Sequence, residues 1–385
     1  MAWADHLGHT LGKRIPAAGV LETSDAKGFG FCDATLSWDV VAELHEGARL
    51  TGWETGYPDL FAKPELDTFR FLPWRPGVGQ VVSDVVAHGG EPVHTAPRTV
   101  LRRVVERLAE LGYRAEIGVE IEFFLLDPAA RPLGGSVHCY SLETANELDP
   151  ALTTITEGLA GYVLVEGVTS EYGPAQLEIN LHHADPLTAA DDGFRLKYAV
   201  RALARRAGAR ATFMAKPFQG LSGSSMHLHL SLWRDGEPAF APEGGAENPL
   251  MRSAIAGILA HLPAITVFGA PSINSYKRFE SRSYYAPNTA SWGGDNRTTA
   301  VPVSRCHGCP PRRFNSPGRT SGSRICWART PSTITPSWWR RTGRPASPPS
   351  RSGSVTASSI WRDLSPEGER GPAGDRRADG AYRYC

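Results

Sequence analysis

The sequence has no unbroken apolar run of about 18 residues, the length a helix needs to cross a bilayer. Its first residues, MAWADHLGHTLGKRIP, lack the apolar centre of a secretory signal. These absences give the expectation of a cytoplasmic protein with no membrane partner. Cysteine is sparse, at six in 385 residues, with Cys32 and Cys139 far apart and the other four after residue 305. So few and so scattered, they exclude a disulfide framework and are expected as reduced thiols. Cys306 and Cys309 in CHGC have the spacing of half a zinc site. No second Cys or His pair stands at ligand spacing, so chance is the preferred reading. Lysine disappears entirely after residue 303: residues 304–385 hold 15 Arg, no Lys and 5 acidic residues. The net charge of +1 therefore hides an acidic body and a basic tail.

What is present is ordinary for a globular protein, with 41% apolar residues and enough length for two domains. Residues 1–87 mix short strand-like runs (GFGFCDATL, QVVSDVV) with Gly- and Pro-rich turns, as in a small α+β unit. A boundary follows near 88–97. PRTVLRRVVERLAELGY (97–113) reads as an amphipathic helix, with Pro97 at its start, apolar Val100, Leu101, Val104, Leu108 and Leu111, and Gly112 at its end. A second helix is expected over 187–208, a strand over ATFMAKPF (211–218), and an alternating strand over SMHLHLSLW (225–233). Short apolar runs with one polar face argue for a largely antiparallel sheet rather than a doubly wound one. The expected class is α+β.

The alternation is sharpest in GVEIEFFLL (118–126), where Val119, Ile121 and Phe123 share one face while Glu120 and Glu122 stand side by side on the other. Like charges so placed repel unless something positive lies between them. Downstream, EYGPAQLEINL supplies Glu171 and Glu178, and GLSGSSMHLHLSL supplies His227 and His229. Four carboxylates with imidazole on adjoining strands suit Mg²⁺ or Mn²⁺. Each pair alone fits a blander account: a solvated sheet face for the acids, a structural role for the histidines.

Taken together, in their order and surroundings, these segments resemble the glutamine synthetase superfamily, in its bacterial branch of γ-glutamyl-amine (polyamine or monoamine) ligases. The matching stretches are GKRIP (12–16), GVEIEF, EYGPAQLEINL, TFMAKPFQGLSGSSMHLHLSL (212–232), NSYKRF (274–279) and WGGDNRT (292–298). The resemblance implies a β-grasp-like N-terminal domain over 1–88 and a catalytic domain over 89–303, with a curved antiparallel sheet and flanking helices. It implies an ATP-dependent ligase that activates the glutamate γ-carboxylate as a γ-glutamyl phosphate before an amine attacks. By position, Glu122, Glu171 and Glu178 would hold a first metal, and Glu120 and His227 a second. Gly223 and Arg278 would bind glutamate, His229, Ser231 and Arg297 the nucleotide, with Arg278 and Arg297 also acting in catalysis. Its partners would be glutamate and an amine, with ring-shaped homo-oligomers, usually double hexamers, and no nucleic acid.

Three departures qualify this. Glu46 stands where ammonia-using members carry an Asp, and Ser283, Tyr284 and Tyr285 stand where their flap carries a Glu, with Glu280 too early. Loss of both acids and gain of aromatics suits an amine larger than ammonia, its chain packed on a ring. The alternative is a glutamine synthetase using ammonia. After residue 303 the texture becomes irregular, rich in Arg, Pro and Ser, with Trp327, Trp338, Trp339 and Trp361, although disordered tails are poor in aromatics. Pro302 replaces the Arg of a Val-Arg-Val strand, and the Glu-x-Arg expected beyond it is missing. A reading-frame shift near residues 300–304 is preferred over a designed basic tail, because WARTPS (327–332), written in GC-rich codons and read from its third base, gives Gly-Ala-Asp-Ala-Val. The expected consequence is a catalytic domain incomplete at its C-terminal end, with a weakened second metal site.

Overall fold

The computed structural model describes residues 1–304, except 25–27, 45–46, 49, 242–247, 280–286, 288 and 295, and also residues 324–328. All of these fall in one unit, Met1–Ile334. Glu46, Glu280, Ser283, Tyr284, Tyr285, Cys306 and Cys309 lie outside the described residues.

The chain opens with strands β1 (Ala2–Ala4) and β2 (Thr10–Gly12), paired with each other, and helix α1 (Ala17–Ser24). Strands β3 (Phe29–Cys32), β4 (Asp59–Pro64) and β7 (Ser83–Val86) form a three-stranded antiparallel sheet, and β5 (Arg70–Phe71) pairs with β6 (Gly79–Gln80). Trp3 stacks on Phe31 at 4.5 Å, and Leu60, Ala62 and Val85 complete a small core under this sheet.

Helix α2 (Pro97–Glu110) begins on Pro97, whose fixed φ and missing N–H suit a first helical position. Its apolar stripe is largely open: Val104 is 60% exposed, and Val100 and Leu111 are exposed with it. Strand β8 (Arg114–Leu126) follows and is the spine of the large sheet. Helices α3 (Leu142–Glu147) and α4 (Ala151–Leu159) precede β9 (Val165–Ser170), β10 (Gln176–Ala184) and helix α5 (Pro186–Arg206). Asp185 caps α5 by accepting from the N–H groups of Leu187 and Thr188. Strand β11 (Arg210–Thr212) is shorter than the sequence predicts, because the chain turns away after Thr212 toward Pro217 and the loop that leads into β12 (Met226–Arg234). The remaining elements are β13 (Glu237–Pro238), α6 (Pro249–Gly269), α7 (Ile273–Tyr276), β14 (Trp292–Gly294), β15 (Val301–Ser304) and β16 (Arg324–Ala328).

The sheet runs β14-β15-β16-β12-β8-β10-β9, with β11 added to β8 and β13 to β12. Every pairing but β14–β15 is antiparallel, as the polar-and-apolar alternation requires. On one face of β8, Val119, Ile121, Phe123 and Leu125 bury against Leu196, Ala199, Val200 and Leu203 of α5 and Ile155 and Leu159 of α4. Each Val, Leu, Ile or Phe so buried contributes about 1.5–3 kcal/mol. That apolar face fixes the register and leaves Glu120 and Glu122 on the other face.

Helix α6 is long and apolar enough to cross a membrane by length and composition alone. Here Met251, Ile255 and Leu262 pack with Leu232, Phe240 and Val301 at one end of the sheet. Phe268, near its end, is 78% exposed. Within the stretch after residue 303 that lacks sequence periodicity, Arg324–Ala328 forms β16, filling the ladder between β12 and β15. Main-chain pairing of this kind tolerates most sequences. The rest of 305–385 lies outside the described residues.

Candidate functional site: a carboxylate and histidine cluster on the sheet

Antiparallel register converts separate sequence motifs into one cluster. Strand β10 places Glu178 opposite Glu122 and Asn180 opposite Glu120. Strand β12 places His227 opposite Glu120, His229 opposite Gly118 and Ser231 opposite Glu116. Residues directly opposite share a face, so all of these project from the side away from α5. Glu171 follows β9 and is anchored there by its N–H, which donates to Gln176 O at 2.8 Å.

His227 Nδ1 lies 3.1 Å from Glu120 Oε2 and 3.4 Å from Glu178 Oε2, and His229 Nε2 lies 2.9 Å from Glu120 Oε1. One ligand atom each from Glu120, Glu178 and His227 all fall within 4.8 Å of one another. This triad crosses the two metal sites that the resemblance separates. Glu122 is held differently: Ser225 donates to it from its N–H at 2.9 Å and its hydroxyl at 2.5 Å, and Gln176 Nε2 donates at 3.2 Å.

The electrostatics express a surplus of negative charge. Burial raises the Glu171 carboxyl to about 7, and Glu122 and Glu178 add to the rise. Burial alone would lower the His227 imidazole, but hydrogen bonds to Glu120 and Glu178 outweigh it and raise it to about 10. Burial would raise Glu120, but hydrogen bonds from His227 and His229 outweigh it and hold the carboxyl well below its ordinary range. A divalent cation competes for the same groups. Thr169 Oγ1, on the same face opposite Glu178, is buried with no hydrogen-bond partner among the described residues. Hard carboxylate oxygens, one imidazole and an orphaned hydroxyl fit a hydrated Mg²⁺ or Mn²⁺.

Beside the cluster, Arg278 crosses Gly223. A Cβ added to Gly223 would meet Ala215 O at 2.6 Å and Arg278 Cγ at 2.8 Å, so only glycine admits this packing. Burial lowers the Arg278 guanidinium, and Glu122 opposes that shift, which puts the arginine within electrostatic reach of the cluster. Arg297 is exposed and tied to Tyr140, which raises it while burial opposes. Ser231 Oγ accepts from Trp233 Nε1 at 3.1 Å. His229 and Ser231 thus stand one and two steps along β12 from His227, with His229 also bonded into the carboxylate cluster.

Sequence reasoning singled out neither Ser225, Gln176 nor Tyr140. Ser225 stands two residues before His227, as His227 does before His229, so period two puts it on their face. Gln176 likewise precedes Glu178. Cys139 Sγ lies 4.0 Å from Glu171 Oε2, and burial with Glu171 and Glu178 raises the thiol to about 11, so it is protonated.

Residues 94–315 match the family described as glutamine synthetase, catalytic domain. The chain belongs to this family. A glutamate–isopropylamine ligase from Pseudomonas sp. is 36% identical over 305 residues, 75% of this chain and 66% of that protein. Type-1 glutamine synthetase 2 of Dictyostelium discoideum is 34% identical over 298 residues, 73% of this chain and 57% of that protein. Among solved structures, an ADP complex of GmaS superposes with a TM-score of 0.71 at 28% identity, covering 86% of this chain and 72% of that one. The match therefore spans about two thirds or less of the length of these two curated relatives.

Proposed function

We propose that the chain carries the active face of an ATP-dependent ligase that joins the γ-carboxylate of glutamate to an amine. The observation that carries this reading is the convergence of Glu120, Glu122, Glu178 and His227 on one sheet face, with Glu171 in electrostatic contact with Glu122 and Glu178 and Arg278 beside them. Making an amide from a carboxylate needs a leaving group, and transfer of the ATP γ-phosphoryl to form γ-glutamyl phosphate supplies one. Phosphoryl transfer between two anions needs their charge neutralised, and divalent ions held by Glu122, Glu171 and Glu178 and by Glu120 and His227 would supply that. Arg278 holds the glutamate carboxylate by paired hydrogen bonds against Gly223. His229, Ser231 and Arg297 orient the nucleotide. The relative named for isopropylamine supports an organic amine as acceptor, and the glutamine synthetase relative supports ammonia as the alternative.

The test is incubation of the full chain with Mg-ATP, glutamate and in turn isopropylamine, ethanolamine, putrescine or ammonium, reading ADP and the amide by mass spectrometry. An amide with an organic amine supports the reading, and turnover with ammonium alone makes the chain a glutamine synthetase. A folded chain with no ATP turnover favours a second reading, an impaired family member. The altered residues after 303 and the span of the match are what favour it.

A further inference from the structure

We infer that Gln176 is a positioning residue that joins the metal-binding carboxylate Glu122 to the glutamate-binding loop at Gly223, so that divalent ion and glutamate bind cooperatively. This rests on the ligase reading above and adds the element that couples its two ligands. Gln176 is 1% exposed and sits at the first residue of β10. Its Oε1 accepts from Gly173 N–H at 2.9 Å, which fixes which end of the amide faces the site. Its Nε2 then donates to Glu122 Oε2 at 3.2 Å and to Gly223 O at 3.1 Å, with Ser224 Oγ at 3.4 Å. One amide nitrogen therefore touches both a carboxylate of the cluster and the backbone on which Arg278 rests.

The loop is attached to Glu122 a second time, through the N–H and hydroxyl of Ser225. A carboxylate drawn onto Arg278 presses on Gly223, and any shift of that loop is delivered to Glu122 from both sides. Outer partners of metal ligands set ligand orientation in this way, and losing one costs about 10–100-fold in metal affinity. Coupling of two binding equilibria is reciprocal, so glutamate tightens the metal by the factor by which metal tightens glutamate.

The experiment titrates the full chain with Mn²⁺, followed by electron paramagnetic resonance, with and without saturating glutamate. Gln176→Glu keeps the size and the bond from Gly173 but turns an acceptor toward Glu122 and Gly223 O. The expected result is several-fold tighter Mn²⁺ binding with glutamate in the native chain. In Gln176→Glu the intrinsic Mn²⁺ affinity should be weakened about tenfold or more and the glutamate effect abolished. Gln176→Leu, checked by urea unfolding, serves where the Glu variant does not fold. A purely structural glutamine would lower stability and leave the glutamate effect intact in a folded variant, which overturns the inference. Mn²⁺ binding without any glutamate effect in the native chain overturns it too while sparing the metal site, whereas no Mn²⁺ binding at all removes both this inference and the ligase reading.

Discussion

Lys216 and Asn274 exchange two hydrogen bonds: Lys216 N–H donates to Asn274 Oδ1 at 2.8 Å, and Asn274 Nδ2 donates to Lys216 O at 2.8 Å. The pair clips the segment carrying Arg278 to the loop carrying Gly223. Replacing Asn274 with Ala removes both bonds and leaves a partly buried N–H and C=O unpaired, at about 1–3 kcal/mol. Urea denaturation should report that loss, and glutamate binding should weaken with it; unchanged binding would show that the clip does not position Arg278.

Arg278→Lys keeps the charge and loses the fork. The Lys variant should bind glutamate about tenfold or more weakly, while Mn²⁺ binding stays near native. Isothermal titration with each ligand separates the two effects, and equal losses in both would contradict the assignment of Arg278 to the carboxylate.

The buried face of β8 and the open stripe of α2 predict opposite sensitivities. Phe123→Ala empties a fully buried position and should cost about 3–5 kcal/mol. Val104→Ala, on the open stripe of α2, should change stability by about 0.5 kcal/mol or less. Urea midpoints at constant slope check both values.

The pH dependence follows from Glu120, His227 and Glu171. The folded pKa of Glu120 is depressed, so its contribution is present above its ordinary value of 4.5 and lost as pH falls through the folded value. His227 is raised from 6.5 to about 10, so its contribution is complete below 6.5 and lost as pH rises through about 10. Glu171, raised from 4.5 to about 7, acts in the same direction as His227, since its folded form holds a proton that is lost as pH rises through about 7. The first two are largely one interaction seen from its two ends. Melting temperature in a chelator should therefore be highest near pH 4.5, fall toward pH 7 as Glu171 loses its proton and fall further toward pH 10 as His227 does, and added Mg²⁺ should flatten the alkaline side. A chelated sample equally stable at pH 6 and pH 10 would contradict the cluster's charge balance.

Much of this was legible because strand alternation is local. Val119, Glu120, Ile121 and Glu122 announce two faces within four residues, and the antiparallel sheet follows from such runs. Which strands adjoin is a long-range fact: that Glu178 faces Glu122 and His227 faces Glu120 was available only through family resemblance. Gln176 and Ser225 stayed hidden because a polar residue beside a ligand carries no periodic signal that distinguishes a supporting hydrogen bond from a solvated surface. The reach of ATFMAKPF as a strand failed for a local reason, since of its residues Ala211 and Thr212 pair and Pro217 follows where a ladder would need an N–H. The open stripe of α2 shows the converse, an amphipathic pattern that fixes a helix without telling what its apolar side meets.

The alternation along β8 also sets what kinds of genetic change the strand tolerates. A substitution at one position disturbs either the packing against α5 or the charged cluster. Inserting or deleting a single residue between Val119 and Phe123 reverses the faces downstream of the change, sending carboxylate toward Leu196 and Val200 and a hydrocarbon toward His227. Length, more than identity, is therefore the property of this strand that inheritance must preserve.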